Sequence, residues 1–153
     1  MKLRVLWLGK NRDTWIKDGV AEYAGRIGRY MPLHIDELKD EKDATFEEGR
    51  RREGERLLKQ LSSQTVLVAL DERGQQLDSL KFAEFIGRHR DSGTQELAFA
   101  IGGAYGFSDE IRSRAAKVLA LSAMTFTHQM VRLFLMEQLY RACTILNNEP
   151  YHH

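Results

Sequence analysis

The 153-residue chain sets 23 Lys and Arg against 22 Asp and Glu, a formal charge of +1, with 42% hydrophobic residues and two prolines. So even a balance excludes nucleic-acid binding by bulk electrostatics and leaves a local patch, shape, or a surface assembled from two subunits. One cysteine excludes an internal disulfide or a cysteine-rich zinc site, and no apolar run approaches the ~20 residues of a bilayer span, so a cytoplasmic, single-domain protein over residues 1–153 is expected.

Lys2 to Leu8 is apolar and brief, with no small-residue cleavage site after it, and is taken as a first strand rather than a signal peptide. From Asp13 to Tyr30, residues Trp15, Ile16, Val20, Tyr23 and Ile27 recur at helical spacing until Met31-Pro32 breaks the pattern. Leu33 to Leu38 alternates as a half-buried strand. Asp43 to Leu61 is a highly charged helix in which Arg50, Arg51 and Arg52 interleave with Glu47, Glu48, Glu53 and Glu55, so the triplet reads as a solvated face before a phosphate patch.

Thr65 to Asp71 is a near-continuous apolar run, the mark of a central strand covered on both sides. Asp78 caps a helix through His89, and Glu96 to Ile101 is a further buried strand. Ser108 then caps a short helix with Asp109 and Glu110 in its first turn. Lys117 to Leu121 is a last strand, and His128 to Asn147 a long helix apolar over more than one face, which favours burial partly against a second copy of the chain. Cys143 falls within its apolar pattern as a small buried hydrophobe. Strand–helix alternation of this kind predicts an α/β fold: an open, mostly parallel sheet with helices on both faces. Such sheets bind ligands outside the carboxyl ends of their strands, here after Leu70-Asp71, Ile101 and Leu121.

Two of those ends carry distinctive loops. Ile101 to Ile111 reads I-G-G-A-Y-G-F-S-D-E-I, which lacks both the dinucleotide fingerprint and the Gly-Lys-Ser/Thr of a P-loop. Leu121 to His128 reads L-S-A-M-T-F-T-H, whose hydroxyls and amides suit polar atoms of a ligand while Met124 and Phe126 offer apolar cover. No H-E-x-x-H, Cys/His cluster or G-x-S-x-G occurs, so neither metal nor serine-hydrolase chemistry is expected.

These two loops, followed by H-x-M-x-R-x-x-x-x-E-Q-x-Y-R-A and N-x-x-P-Y-H, together with Leu8-Gly9-Lys10 and Glu53 to Leu58 near the front, resemble the RlmH family along the whole chain. Its members are ribosomal RNA large subunit methyltransferases of the SPOUT (α/β-knot) superfamily. The resemblance implies a homodimer with a C-terminal trefoil knot that uses S-adenosylmethionine to methylate N3 of a pseudouridine in helix 69 of 23S ribosomal RNA, on assembled ribosomes. It implies cofactor contacts at Leu70, Gly102, Leu121, Ser122, Ala123, Met124, Thr125 and Phe126. The acceptor nitrogen must lose a proton, for which Tyr151, His152, His128 and Arg132 are the candidates, with Arg132 and Arg141 on anion duty. Two positions depart from the family pattern: Thr127, where proline is usual, and His153, where Lys or Arg is usual. They keep open an alternative, a non-catalytic S-adenosylmethionine-binding or ribosome-associated module.

Overall fold

The computed structural model describes residues 1–153 and runs in unbroken strand–helix alternation: β1 (Lys2–Leu8), α1 (Thr14–Ile27), β2 (Leu33–Leu38), α2 (Phe46–Lys59), β3 (Thr65–Gln76), α3 (Ser79–Asp91), β4 (Glu96–Ile101), α4 (Asp109–Arg114), β5 (Lys117–Ala120) and α5 (His128–Leu146). The five strands form one sheet in the order β2-β1-β4-β3-β5, with every pairing parallel. The expected mostly parallel sheet is therefore parallel throughout. No helix is long and apolar enough to cross a membrane.

Strand side chains alternate between the two faces, and the core divides accordingly. Leu97, Phe99 and Ile101 of β4 join Leu3, Val5 and Trp7 of β1 under α1, α3 and α5. Ala98 and Ala100 join Leu6, Leu8, Leu67 and Ala69 against Leu57 of α2 and Ile111 of α4. The small residues on this second face let the two charged helices lie close to the sheet. Helix α5 packs between α1 and α3, and Leu135, Met136 and Leu139 are fully buried there. Cys143 is buried in the same core, and desolvation pushes its thiol up to about 11, so it is a packing residue and no nucleophile at neutral pH.

Helix boundaries fall where caps dictate. Asp43 takes a positive φ of 59°, outside the helical region, so the charged helix does not begin there. It begins at Phe46, after the Thr45 side chain accepts from the Glu48 amide. Helix α1 stops at Ile27 rather than Tyr30: Gly28 is its C-cap, and the Arg29 and Tyr30 amides turn to the carbonyls of Arg26 and Ile27, three residues back, ahead of Pro32. Strand β3 runs past Asp71 to Gln76. Leu70 and Gln75 both pair with Leu119, so Asp71 to Gly74 leave the ladder as an excursion. Gly74 permits it: a Cβ there would lie 2.6 Å from the Val118 carbonyl oxygen. The returning Gln75-Gln76 are polar, which is why apolar patterning ended the strand early.

Candidate functional site

At the carboxyl ends of β3, β4 and β5 the three loops meet around a cleft of about 550 Å³. The β3 excursion, the glycine turn and the loop from Leu121 to Phe126 form its walls, and Phe46 and Arg50 of α2 close one side. The size is that of a pocket for a small molecule.

Each wall is held by local chemistry. In the glycine turn, the Gly106 amide donates to the Gly103 carbonyl at 3.0 Å, and Gly106 has a φ of 74°, a conformation that favours glycine. Gly103 rests on Glu53, whose Oε1 would lie 2.9 Å from any Cβ there. Glu53 is 1% exposed, so it does not share the solvated face on which its helical neighbours lie. Its Oε2 accepts from the Glu41 amide at 2.9 Å, its Oε1 has no partner, and burial raises its pKa.

The Leu121 to Phe126 loop is pinned at both ends. Ser122 Oγ accepts from the Met124 amide at 3.0 Å, and Thr125 Oγ1 donates to Glu72 Oε2 at 2.7 Å, joining this loop to the β3 excursion. Phe126 packs on Phe134 with ring centres 5.0 Å apart. Thr127, in the place where proline is usual in the resembled family, caps α5: its Oγ1 accepts from the Met130 amide at 3.2 Å. A hydroxyl cap thus supplies the loop-to-helix definition that a proline ring would give. Across the cleft, Asp71 pairs with Arg112 at 2.7 Å and with Arg73 at 3.4 Å, and the buried Nε of Arg112 has no partner.

Of the residues singled out from sequence, Leu70, Gly102, Leu121, Ser122, Met124, Thr125, Phe126 and His128 line the cleft together, while Ala123 sits in the same loop without facing it. His128 opens α5, and partial burial, then the nearby Arg132 cation, lower its pKa, leaving a neutral imidazole at neutral pH. Arg132 lies elsewhere. It is 2% exposed, stacks over Trp7 at 5.0 Å, and donates to the Leu8 and Gly9 carbonyls and to Asn11 Oδ1 at 2.8 to 3.0 Å. Burial lowers its pKa to about 10, with Glu37 opposing, and its guanidinium binds the end of β1 instead of facing the cleft.

The C-terminal pair also lies away from the cleft of its own chain. Tyr151 donates to Glu137 Oε1 at 3.1 Å and packs edge-on against Tyr140 at 4.7 Å. Burial first, then its hydrogen bonds to Tyr23 and Glu137, push its phenol up to about 12. His152 Nδ1 accepts from Arg141, whose guanidinium also donates to Glu137 and covers the Tyr151 ring at 4.8 Å. Arg141 therefore organises the tail. Sequence reasoning missed Phe46, Arg50, Tyr105, Asp71, Glu72 and Arg112 as cleft residues. The charged Asp71-Glu72-Arg73-Gly74 at a strand end was a readable signal; the meeting of Phe46 with Tyr105, 59 positions apart, was not.

An open parallel sheet with a glycine-walled cleft outside its strand ends defines an α/β protein whose cleft lies where sheets of this kind take their ligands. A family described as "Predicted SPOUT methyltransferase" matches residues 1–152. The chain is 84% identical to ribosomal RNA large subunit methyltransferase H of Trichlorobacter lovleyi and 61% identical to the protein of that name from Geobacter sulfurreducens, over the full length of every chain. Among solved structures, a probable methyltransferase from Bordetella pertussis shares the fold at 13% identity, with a TM-score of 0.57 over 92% of this chain and 93% of that one. A probable methylase family protein from Haemophilus influenzae gives 14% identity and 0.53 over 99% and 70%. The chain belongs to the SPOUT methyltransferase family, in the group of ribosomal RNA large subunit methyltransferase H.

Proposed function

We propose that this protein transfers a methyl group from S-adenosylmethionine to N3 of a pseudouridine in helix 69 of 23S ribosomal RNA, acting on assembled ribosomes. The observation that carries the reading is the convergence of the Leu70, Gly102 and Leu121 to Phe126 loops on one cleft of about 550 Å³. The residues present fit the cofactor. Leu70, Leu121, Met124 and Phe126 offer an apolar slot for adenine, and Gly102 lines the same cleft with no side chain between its main chain and a ligand. When bound, the cofactor supplies an electrophilic methyl group on a sulfonium.

The chain's own work is to align that methyl with the acceptor nitrogen, a positioning effect that provides much of the acceleration in a direct displacement. The acceptor also sheds its proton. His128 is neutral and at the cleft, so it accepts a hydrogen bond or a proton there. Tyr151 docks on Glu137, nine residues along α5 from His128, which at 1.5 Å per residue is about 14 Å away. We therefore assign Tyr151 and His152 of one protomer to the cleft of its partner in a homodimer. Phe134, an α5 side chain still 37% exposed, belongs to the paired surface. The C-terminal trefoil knot is part of the same reading.

The near-neutral charge supports an assembled ribosome as substrate, since little bulk attraction exists for free RNA. Incubation with labelled S-adenosylmethionine and ribosomes lacking the mark should label 23S RNA at one nucleotide. No transfer, under conditions where an established family member works, refutes the assignment. The non-catalytic alternative, kept open by Thr127 and His153, would bind cofactor or ribosome without turnover, and the same assay separates the two.

A further inference from the structure

One corner of the cleft is unused by the cofactor reading. Phe46, in the first turn of α2, is 56% exposed, yet it is held in place. Its ring meets Tyr105 edge-on at 5.9 Å and 77°. Arg50, one turn later, lays its guanidinium 4.6 Å over the Phe46 ring and donates from Nε to the Tyr105 carbonyl at 3.1 Å. Tyr105 in turn presses onto Gly49, where a Cβ would come within 2.6 Å of the ring. Three residues from two distant segments thus fix an exposed aromatic surface at the cleft.

The charges of the arginine run sharpen the picture. Arg51 pairs with Glu48 and Glu55, and Arg52 pairs with Glu48 and Glu41. Arg50 has only its carbonyl and ring contacts, so its positive charge is not neutralised by any carboxylate. S-adenosylmethionine is itself cationic, with a sulfonium and an ammonium against one carboxylate, so an unneutralised guanidinium is poorly matched to it. An aromatic face beside a free guanidinium matches a nucleotide: the base stacks, and the phosphate pairs with the cation.

We propose that Phe46, Tyr105 and Arg50 form a stacking platform for an unpaired RNA base at the cleft, with Arg50 also holding that nucleotide's phosphate. This rests on the ribosomal RNA methyltransferase reading. The platform tolerates any base, because every base offers a π face. It orders the RNA strand so that the neighbouring target base enters the cleft.

The test uses full-length wild type and the variants Phe46→Ala, Arg50→Ala and Arg50→Lys. Ribosome affinity is read by cosedimentation, S-adenosylmethionine affinity by calorimetry, and folding by thermal melting. Phe46→Ala and Arg50→Ala should weaken ribosome binding by about tenfold or more while cofactor affinity stays within about twofold. Arg50→Ala should also flatten the salt dependence of ribosome binding by about one phosphate contact, with Arg50→Lys retaining that slope. Unchanged ribosome affinity in Phe46→Ala overturns the platform and leaves the methyltransferase reading standing. A loss of cofactor affinity equal to the loss of ribosome affinity also overturns it, by assigning the rings to adenine. Wild type that binds ribosomes through Phe46 yet transfers no methyl overturns the reading beneath, not the platform.

Discussion

Gly102→Ala separates a ligand-binding role from a structural one. An added Cβ would sit 3.5 Å from Phe107 Cζ and 3.6 Å from the Gly106 carbonyl carbon, ordinary contact distances, and Gly102 does not adopt a positive φ. The free protein should therefore keep its stability within about 0.5 kcal/mol. A ligand lying on that main chain would have to move. A lost hydrogen bond costs about 0.5–1.5 kcal/mol, and forced displacement in a packed site adds about 1–3 kcal/mol. Together they amount to roughly 1.5–4.5 kcal/mol, a weakening of about tenfold to a thousandfold or more. Calorimetric titration with S-adenosylmethionine measures the effect, and melting without ligand measures the control. A dissociation constant within twofold of wild type refutes the main-chain cradle, and a Tm drop of more than about 3 °C in the free variant refutes the claim that the position is structurally free.

Two further substitutions probe groups whose roles the structure redefines. Arg132→Ala removes donors to Leu8, Gly9 and Asn11 and should cost about 3 kcal/mol, some 6–12 °C in Tm, before any question of turnover; a drop under 2 °C contradicts the structural role. Glu53→Gln should raise the melting temperature at pH 8 by about 3 °C, corresponding to about 1 kcal/mol. Burial raises the Glu53 pKa in the folded state, so its stabilising contribution is complete below the unfolded value near pH 4 and is lost as pH rises through the folded one. The difference between variant and wild type should therefore vanish at about pH 4, and a pH-independent difference would count against a titrating Glu53.

Much of this molecule was legible in its sequence. The apolar runs at Lys2–Leu8 and Glu96–Ile101 and the alternation at Leu33–Leu38 gave three strands with their observed bounds, because a buried central strand and a half-exposed edge strand each write their environment into residue type. Caps at Asp78 and Ser108 were equally local, since a side-chain oxygen and an amide three residues on need nothing else. The loops after β3, β4 and β5 were placed at one site by a rule of the fold, and eight of the named residues line it.

What only the tertiary structure decided involves contacts between segments far apart in the chain. Arg132 was expected on proton or anion duty at the site; packing turned it toward the end of β1, more than 120 positions away. Glu53 read as one charge among many, yet it lies beneath Gly103, where the fold brings α2 under the glycine turn. The Phe46–Tyr105 corner and the docking of Tyr151 on Glu137 arise in the same way. Residue patterns carry short-range preferences of caps, turns and burial. The direction a charged side chain takes is set by which distant backbone oxygens, carboxylates and rings come within reach once the sheet has closed.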